Sequence, residues 1–171
     1  MNTQPVNKDF EALKDAGFDS IYTQTQDAMR FFKSDPAVCC ARFRYALEAA
    51  LEEVYLQLDV KSPKANADKI RQLKFILPRS LKDKSVIEKM DTLREVSNHY
   101  HHYPQNQFDP EKDKYECKNA MIPIAKWVVN IPYNMNKYTW RGSTMGHVAT
   151  TIRSTILSLG STLANAFKKN R

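Results

Sequence analysis

The sequence predicts an all-α fold, and three observations carry that prediction. Apolar residues recur at three- and four-residue steps along nearly the whole chain, Gly17 is the only glycine before residue 142, and aspartate–proline pairs stand where helices should begin. The architecture they imply is an antiparallel bundle of about five helices followed by an appended amphipathic helix.

A first helix is predicted from about Asp19 to Lys33, with Ile21, Tyr22, Thr25, Met29 and Phe32 on one stripe. Asp35 is then an N-cap and Pro36 the first helical residue, where a missing N–H costs nothing. That second helix should reach about Leu58 and bury Phe43, Leu47, Leu51, Val54 and Leu58. The stretch VKSPKANAD reads as a polar turn. A shorter helix from about Asp68 to Leu77 carries Ile70, Leu73 and Ile76, and Pro78 stops it. From about Ser85 to Tyr103 the pattern Ile87, Met90, Leu93, Val96 and Tyr100 predicts another helix, closed by Pro104. Asp109 and Pro110 repeat the capping signal and open a helix to Ile131 that buries Ile124, Trp127 and Val128. Pro123 should kink it, because an interior proline removes a backbone bond and crowds the preceding turn.

Residues 1–133 thus form the predicted bundle, and residues 134–171 form a basic extension. In the extension Met145, Val148, Ile152, Ile156, Leu159, Leu163 and Phe167 repeat every eleven residues. They make one apolar stripe on a helix over residues 143–168. The other face is mostly Ser, Thr and Asn, with Arg153 and a Lys168-Lys169 end.

The chain's 171 residues, 42% hydrophobic and 26% charged, suit an ordinary globular domain rather than a disordered, collagenous or disulfide-scaffold chain. Its formal net charge of +7 is unevenly spread: Glu116 is the last acidic residue, and the 55 residues from Cys117 onward carry 8 basic residues and no acidic one. Basicity is therefore no argument for nucleic-acid binding by the first two thirds. No run approaches the roughly 18 to 20 apolar residues of a membrane span, and MNTQPVNKDF has no signal pattern. A cytoplasmic protein is expected, with Cys39, Cys40 and Cys117 as buried, reduced thiols.

Three of the four histidines lie in one line, LREVSNHYHH, from Leu93 to His102. At about 100° per residue, Arg94, Asn98, His101 and, slightly further round, His102 project to one side of a helix, while His99 shares a face with Glu95. An imidazole beside a guanidinium and an amide fits phosphodiester cleavage. The histidine would move a proton from a ribose 2′-hydroxyl or to the leaving 5′-oxygen, and the arginine would hold the phosphate. The plainer alternative is a set of polar residues decorating a solvated helix face. Zinc on His99, His101, His102 and Cys117 is disfavoured because neighbours one and two apart diverge around a helix. No metal or cofactor is expected. Earlier, in ARFRYALE, Arg44 and Glu48 stand four apart beside the buried stripe. They are either a surface ion pair or a support for the Arg94–His102 face.

These segments together, DPAVCCARFRYALEAAL (Asp35 to Leu51), LREVSNHYHH, and a closing helix with AKW (Ala125 to Trp127), resemble a bacterial domain of the HEPN superfamily. That domain occurs at the N-terminus of type I restriction motor subunits and in stand-alone proteins. The resemblance covers roughly residues 10 to 131. It implies a helical bundle, and many HEPN members are metal-independent ribonucleases of toxin–antitoxin, antiviral and CRISPR-associated systems. Arg44 and Glu48 match the arginine and glutamate of the family's second-helix motif. Arg94, Asn98 and His102 match its arginine, asparagine and histidine, with Ser97 where glycine is usual. The ribonucleases carry an arginine, four to six residues and a histidine, a count that Arg94 meets with His99 or with His101. The resemblance also implies a homodimer whose cleft lies on the two-fold interface.

Two functions follow as expectations. One is RNA binding or cleavage in bacterial defence, with Arg94, Asn98, His101 and His102 catalytic and Arg44, Glu48 and His99 supporting. The other is a non-catalytic interaction domain beside restriction or anti-phage machinery. For the helix over 143–168, the candidate surfaces are the bundle, a second copy, a groove on another protein, or a membrane surface.

Overall fold

The computed structural model describes residues 8–102 and 108–139, with backbone alone for His102 and residues 132–139. Among them are six α-helices and no strand. A 3-10 turn at Lys8–Phe10 leads into α1 (Glu11–Asp15), followed by α2 (Asp19–Arg30), α3 (Pro36–Gln57), α4 (Asn66–Ile76), α5 (Lys84–His102) and α6 (Pro110–Thr139). The all-α prediction holds. The chain divides into two units, Met1–Pro132 and Tyr133–Arg171. The helix expected over residues 143–168 lies outside the described residues.

α3 is the middle of the bundle, packing against α2, α5 and α4. Its buried residues come mostly in pairs, Cys39 with Cys40, Ala46 with Leu47, Ala50 with Leu51, and Val54 with Tyr55, with Phe43 alone between the first two pairs. That stripe is wider than the single-file pattern predicted, as a helix packed against several others requires. Each fully buried Leu, Val or Phe contributes roughly 1.5–3 kcal/mol. The alanines let neighbouring helices come close. Leu58, placed in the core by periodicity, is half-buried because α3 has already ended at Gln57.

The ends of the helices follow local chemistry. The Asp35 carboxylate accepts a hydrogen bond from the Val38 N–H at 3.0 Å, with Pro36 at the first helical position. Asp35→Ala should cost about 1 kcal/mol, read as a lower urea midpoint with an unchanged slope. α1 closes on Gly17, whose φ of 81° lies in the left-handed region. Gly17 N–H donates to the Lys14 carbonyl at 3.0 Å, and Phe18 N–H to that of Leu13 at 2.8 Å. Buried Phe18 and Leu13 flank this two-bond cap. α3 ends the same way on Asp59 (φ 54°), with Asp59 N–H donating to Leu56 and Val60 N–H to Tyr55, both at 3.2 Å.

α5 and α6 run antiparallel. At one end the Tyr100 hydroxyl donates to Asp113 Oδ2 at 2.7 Å; at the other, the Trp127 indole N–H donates to the carbonyl of Leu81, just before α5, at 2.9 Å. Trp127 is therefore half-buried and not a core residue as periodicity suggested, since its N–H must reach an acceptor at the rim. Ser97 replaces Val96 in the fully buried row of α5, its hydroxyl hydrogen-bonded to the Arg94 carbonyl at 3.3 Å. α6 runs through Pro123 without interruption and continues past the predicted stop at Ile131. Cys39, Cys40 and Cys117 are buried free thiols. No helix among the described residues is long and apolar enough to cross a membrane.

Candidate functional site

The buried row of α3 fixes what its other side shows. Phe43 points inward and is fully buried, so Arg42 and Tyr45 fall on the outside and Arg44 at the border with α5. From that border Arg44 Nη1 donates to Asn98 Oδ1 at 2.6 Å, joining residues 54 apart in sequence. A hydrogen bond from a charged donor is roughly twice as strong as a neutral one. It presents Arg44 and Asn98 as one unit. Glu48 is one turn further along α3 and half-buried.

One residue outward, the Tyr45 ring meets that of His101 edge-on, with centroids 5.4 Å apart and planes at 87°. The guanidinium of exposed Arg42 lies 5.8 Å from the centre of the Tyr45 ring. Asn98 and His101, both picked out from the LREVSNHYHH line, are thus brought against consecutive residues of α3.

Arg94 is placed differently. Its Nη2 donates to Glu95 Oε1 at 3.0 Å, and its Nε lies 3.5 Å from Asp91 Oδ1 without hydrogen-bonding to it. Asp91 also pairs with Lys74 of α4 at 3.6 Å. The guanidinium therefore rests among carboxylates of its own helix, with the side chain 22% exposed. A phosphate would have to exchange with one of them.

His99 stacks on Phe108, with centroids 4.2 Å apart and planes at 11°. Phe108 also lies 6.0 Å from the Tyr100 ring, so His99 belongs to the aromatic group that joins α5 to the start of α6. His102 is the last residue of α5, and its side chain lies outside the described part. Cys117 sits against Cys40, and that hydrogen bond, with burial, raises its thiol well above the ordinary range. Among the described residues, no three His, Cys, Asp or Glu side chains are arranged to hold a metal ion.

Tyr45 and Arg42 lie beside the candidate residues and are not among those the sequence singles out, although a signal is available. In ARFRY an inward phenylalanine between two arginines forces the flanking residues out, and a tyrosine among them is then an exposed aromatic.

No known protein-family model, curated protein or solved structure matches the chain. The chemistry is that of the face itself. A guanidinium joined to an amide can hold an anionic oxygen and orient it, and an exposed imidazole nearby can carry a proton.

Proposed function

We propose that the chain is a HEPN-like, homodimeric cytoplasmic protein that binds RNA and cleaves it without a metal, in a bacterial defence or toxin setting. The observation that carries this reading is the 2.6 Å bond from Arg44 to Asn98, which joins the two segments that resemble the family's motifs. His101 or His102 takes the proton of a ribose 2′-hydroxyl, whose oxygen attacks the adjacent phosphorus. The bond to the 5′-oxygen breaks, a second imidazole returns a proton to that oxygen, and a 2′,3′-cyclic phosphate remains. In a two-fold dimer the second imidazole can come from the other copy. Asn98 orients the phosphate, Arg44 and Glu48 support that face, and Arg94 stabilises the developing charge after releasing Asp91 or Glu95.

The test is incubation with total RNA in EDTA. Cleavage by the wild-type protein should fall by about a hundredfold or more in Arg94→Ala and in the double variant His101→Ala/His102→Ala, with circular dichroism unchanged. Intact RNA at high protein concentration would rule out catalysis.

A second reading, a non-catalytic interaction domain of restriction or anti-phage machinery, is favoured by one observation. Arg94 already has carboxylate partners, so its charge is spent within the helix. Under it RNA stays intact with every variant, and Arg94→Ala alters stability alone.

A further inference from the structure

The Arg44–Asn98 pair has a neighbour that the cleavage chemistry does not use. Tyr45 is 40% exposed, on a helix whose next turns are core. Its ring is held by the edge-on contact with His101 at 5.4 Å, and Arg42 stands over it at 5.8 Å. A ring whose plane is already fixed loses little freedom when a ligand covers it.

We propose that Tyr45, with Arg42, is a stacking platform for an unpaired nucleobase of single-stranded RNA, next to the Arg44–Asn98 pair. This rests on the RNA reading above and names the form of RNA that it takes. Each nucleotide of a single strand presents an aromatic face and a phosphate together, and Tyr45 and Arg42 offer the complement of both. A duplex keeps its base faces stacked inside, out of reach of a side chain on a convex helix. Phe75 is more exposed, at 80%, but the cation next to it, Lys74, is paired with Asp91 at 3.6 Å, so the same combination is missing there. Tyr45 is thereby a specificity residue for single strands, acting through binding and not through proton transfer.

The experiment uses the full chain and a labelled 2′-O-methyl oligoadenylate, which lacks the attacking hydroxyl and stays intact, compared with its duplex with oligouridylate. Fluorescence anisotropy should show the single strand bound more tightly than the duplex. Tyr45→Ala should weaken single-strand binding roughly ten- to a hundredfold, and Tyr45→Trp should keep it. Arg42→Ala should weaken it less and flatten its salt dependence. Wild-type affinity in Tyr45→Ala would overturn the platform while leaving the RNA reading standing. A wild-type chain that binds neither probe would overturn both. Loss of binding in Tyr45→Ala that coincides with a fall in solution mass would assign the surface to a second copy of the chain, and would also overturn the platform.

Discussion

Replacing Phe43 by alanine should remove about 3–5 kcal/mol of stability. Phe43 is fully buried in the middle of α3, and its ring packs on that of Phe10 with centroids 6.5 Å apart. Truncation would remove a whole aromatic ring from a fully buried site, and Phe10 would lose its partner. Domains are commonly stable by only about 5–15 kcal/mol, so this one change consumes a large share. Thermal denaturation should show a drop on the order of 10 °C, and urea titration a lower midpoint with a preserved slope. Tyr45→Ala, two residues along the same helix, should cost under about 1 kcal/mol, because the ring that it removes is partly solvated already. The pair separates the two sides of α3: one residue holds the bundle together, the other is partly open to solvent. Similar losses from both would contradict the outward placement of Tyr45.

That division was largely legible in the sequence. Periodicity placed α2 to α6 within a few residues of their observed starts, because each is long enough to show several turns of an apolar stripe. The Asp35–Pro36 and Asp109–Pro110 caps were readable because capping is local: Asp109 accepts from the Lys112 N–H at 3.2 Å, much as Asp35 does from Val38. α1 was not anticipated. Five residues hold little more than one turn, so Phe10 and Leu13 show no repeat, and their burial comes from tertiary contact. The same limit applies to Lys69, a charged residue 2% exposed that pairs with Glu52 of α3. Nothing in its own segment marks it as buried.

The candidate face was legible in part for the same physical reason. Helical angle alone puts Asn98 and His101 on one side, and α3 supplies their contacts. Angle does not decide which of several carboxylates a long guanidinium will choose. Arg94 has Asp91 one turn before it and Glu95 directly after it, and it takes both. Nor does angle reveal that His99 will find Phe108, since that contact spans a connection between helices.

The bundle should also lose stability steeply in alkali, and the buried thiols set the slope. Burial, and then the neighbouring Cys40, push the Cys39 thiol up to about 12. Cys117 is raised by its hydrogen bond with Cys40 and by burial, and Tyr100 by burial and by its bond to Asp113. In the unfolded chain a thiol ionises near 8.5 and a tyrosine near 10. Below about pH 8 both states keep these protons, and the stability is fully present. As pH rises the unfolded chain releases them first, so it binds fewer protons than the folded one and stability falls, until the folded groups ionise in turn. Each buried thiol steepens the fall by up to about 1.4 kcal/mol per pH unit. Cys39 and Cys117 thus both lower stability as pH rises through the alkaline range, with Tyr100 adding in the same direction. Urea midpoints measured from pH 7.5 to 11 should decline with that curvature, and Cys39→Ala should make the decline shallower. A midpoint that stays level to pH 11 would mean that the thiols are not held in the protonated form. Tyr100 ties α5 to α6, beside the His99–Phe108 stack, and Cys117 ties α6 to α3 through Cys40, so the RNA binding proposed above should be lost in alkali together with the helical signal.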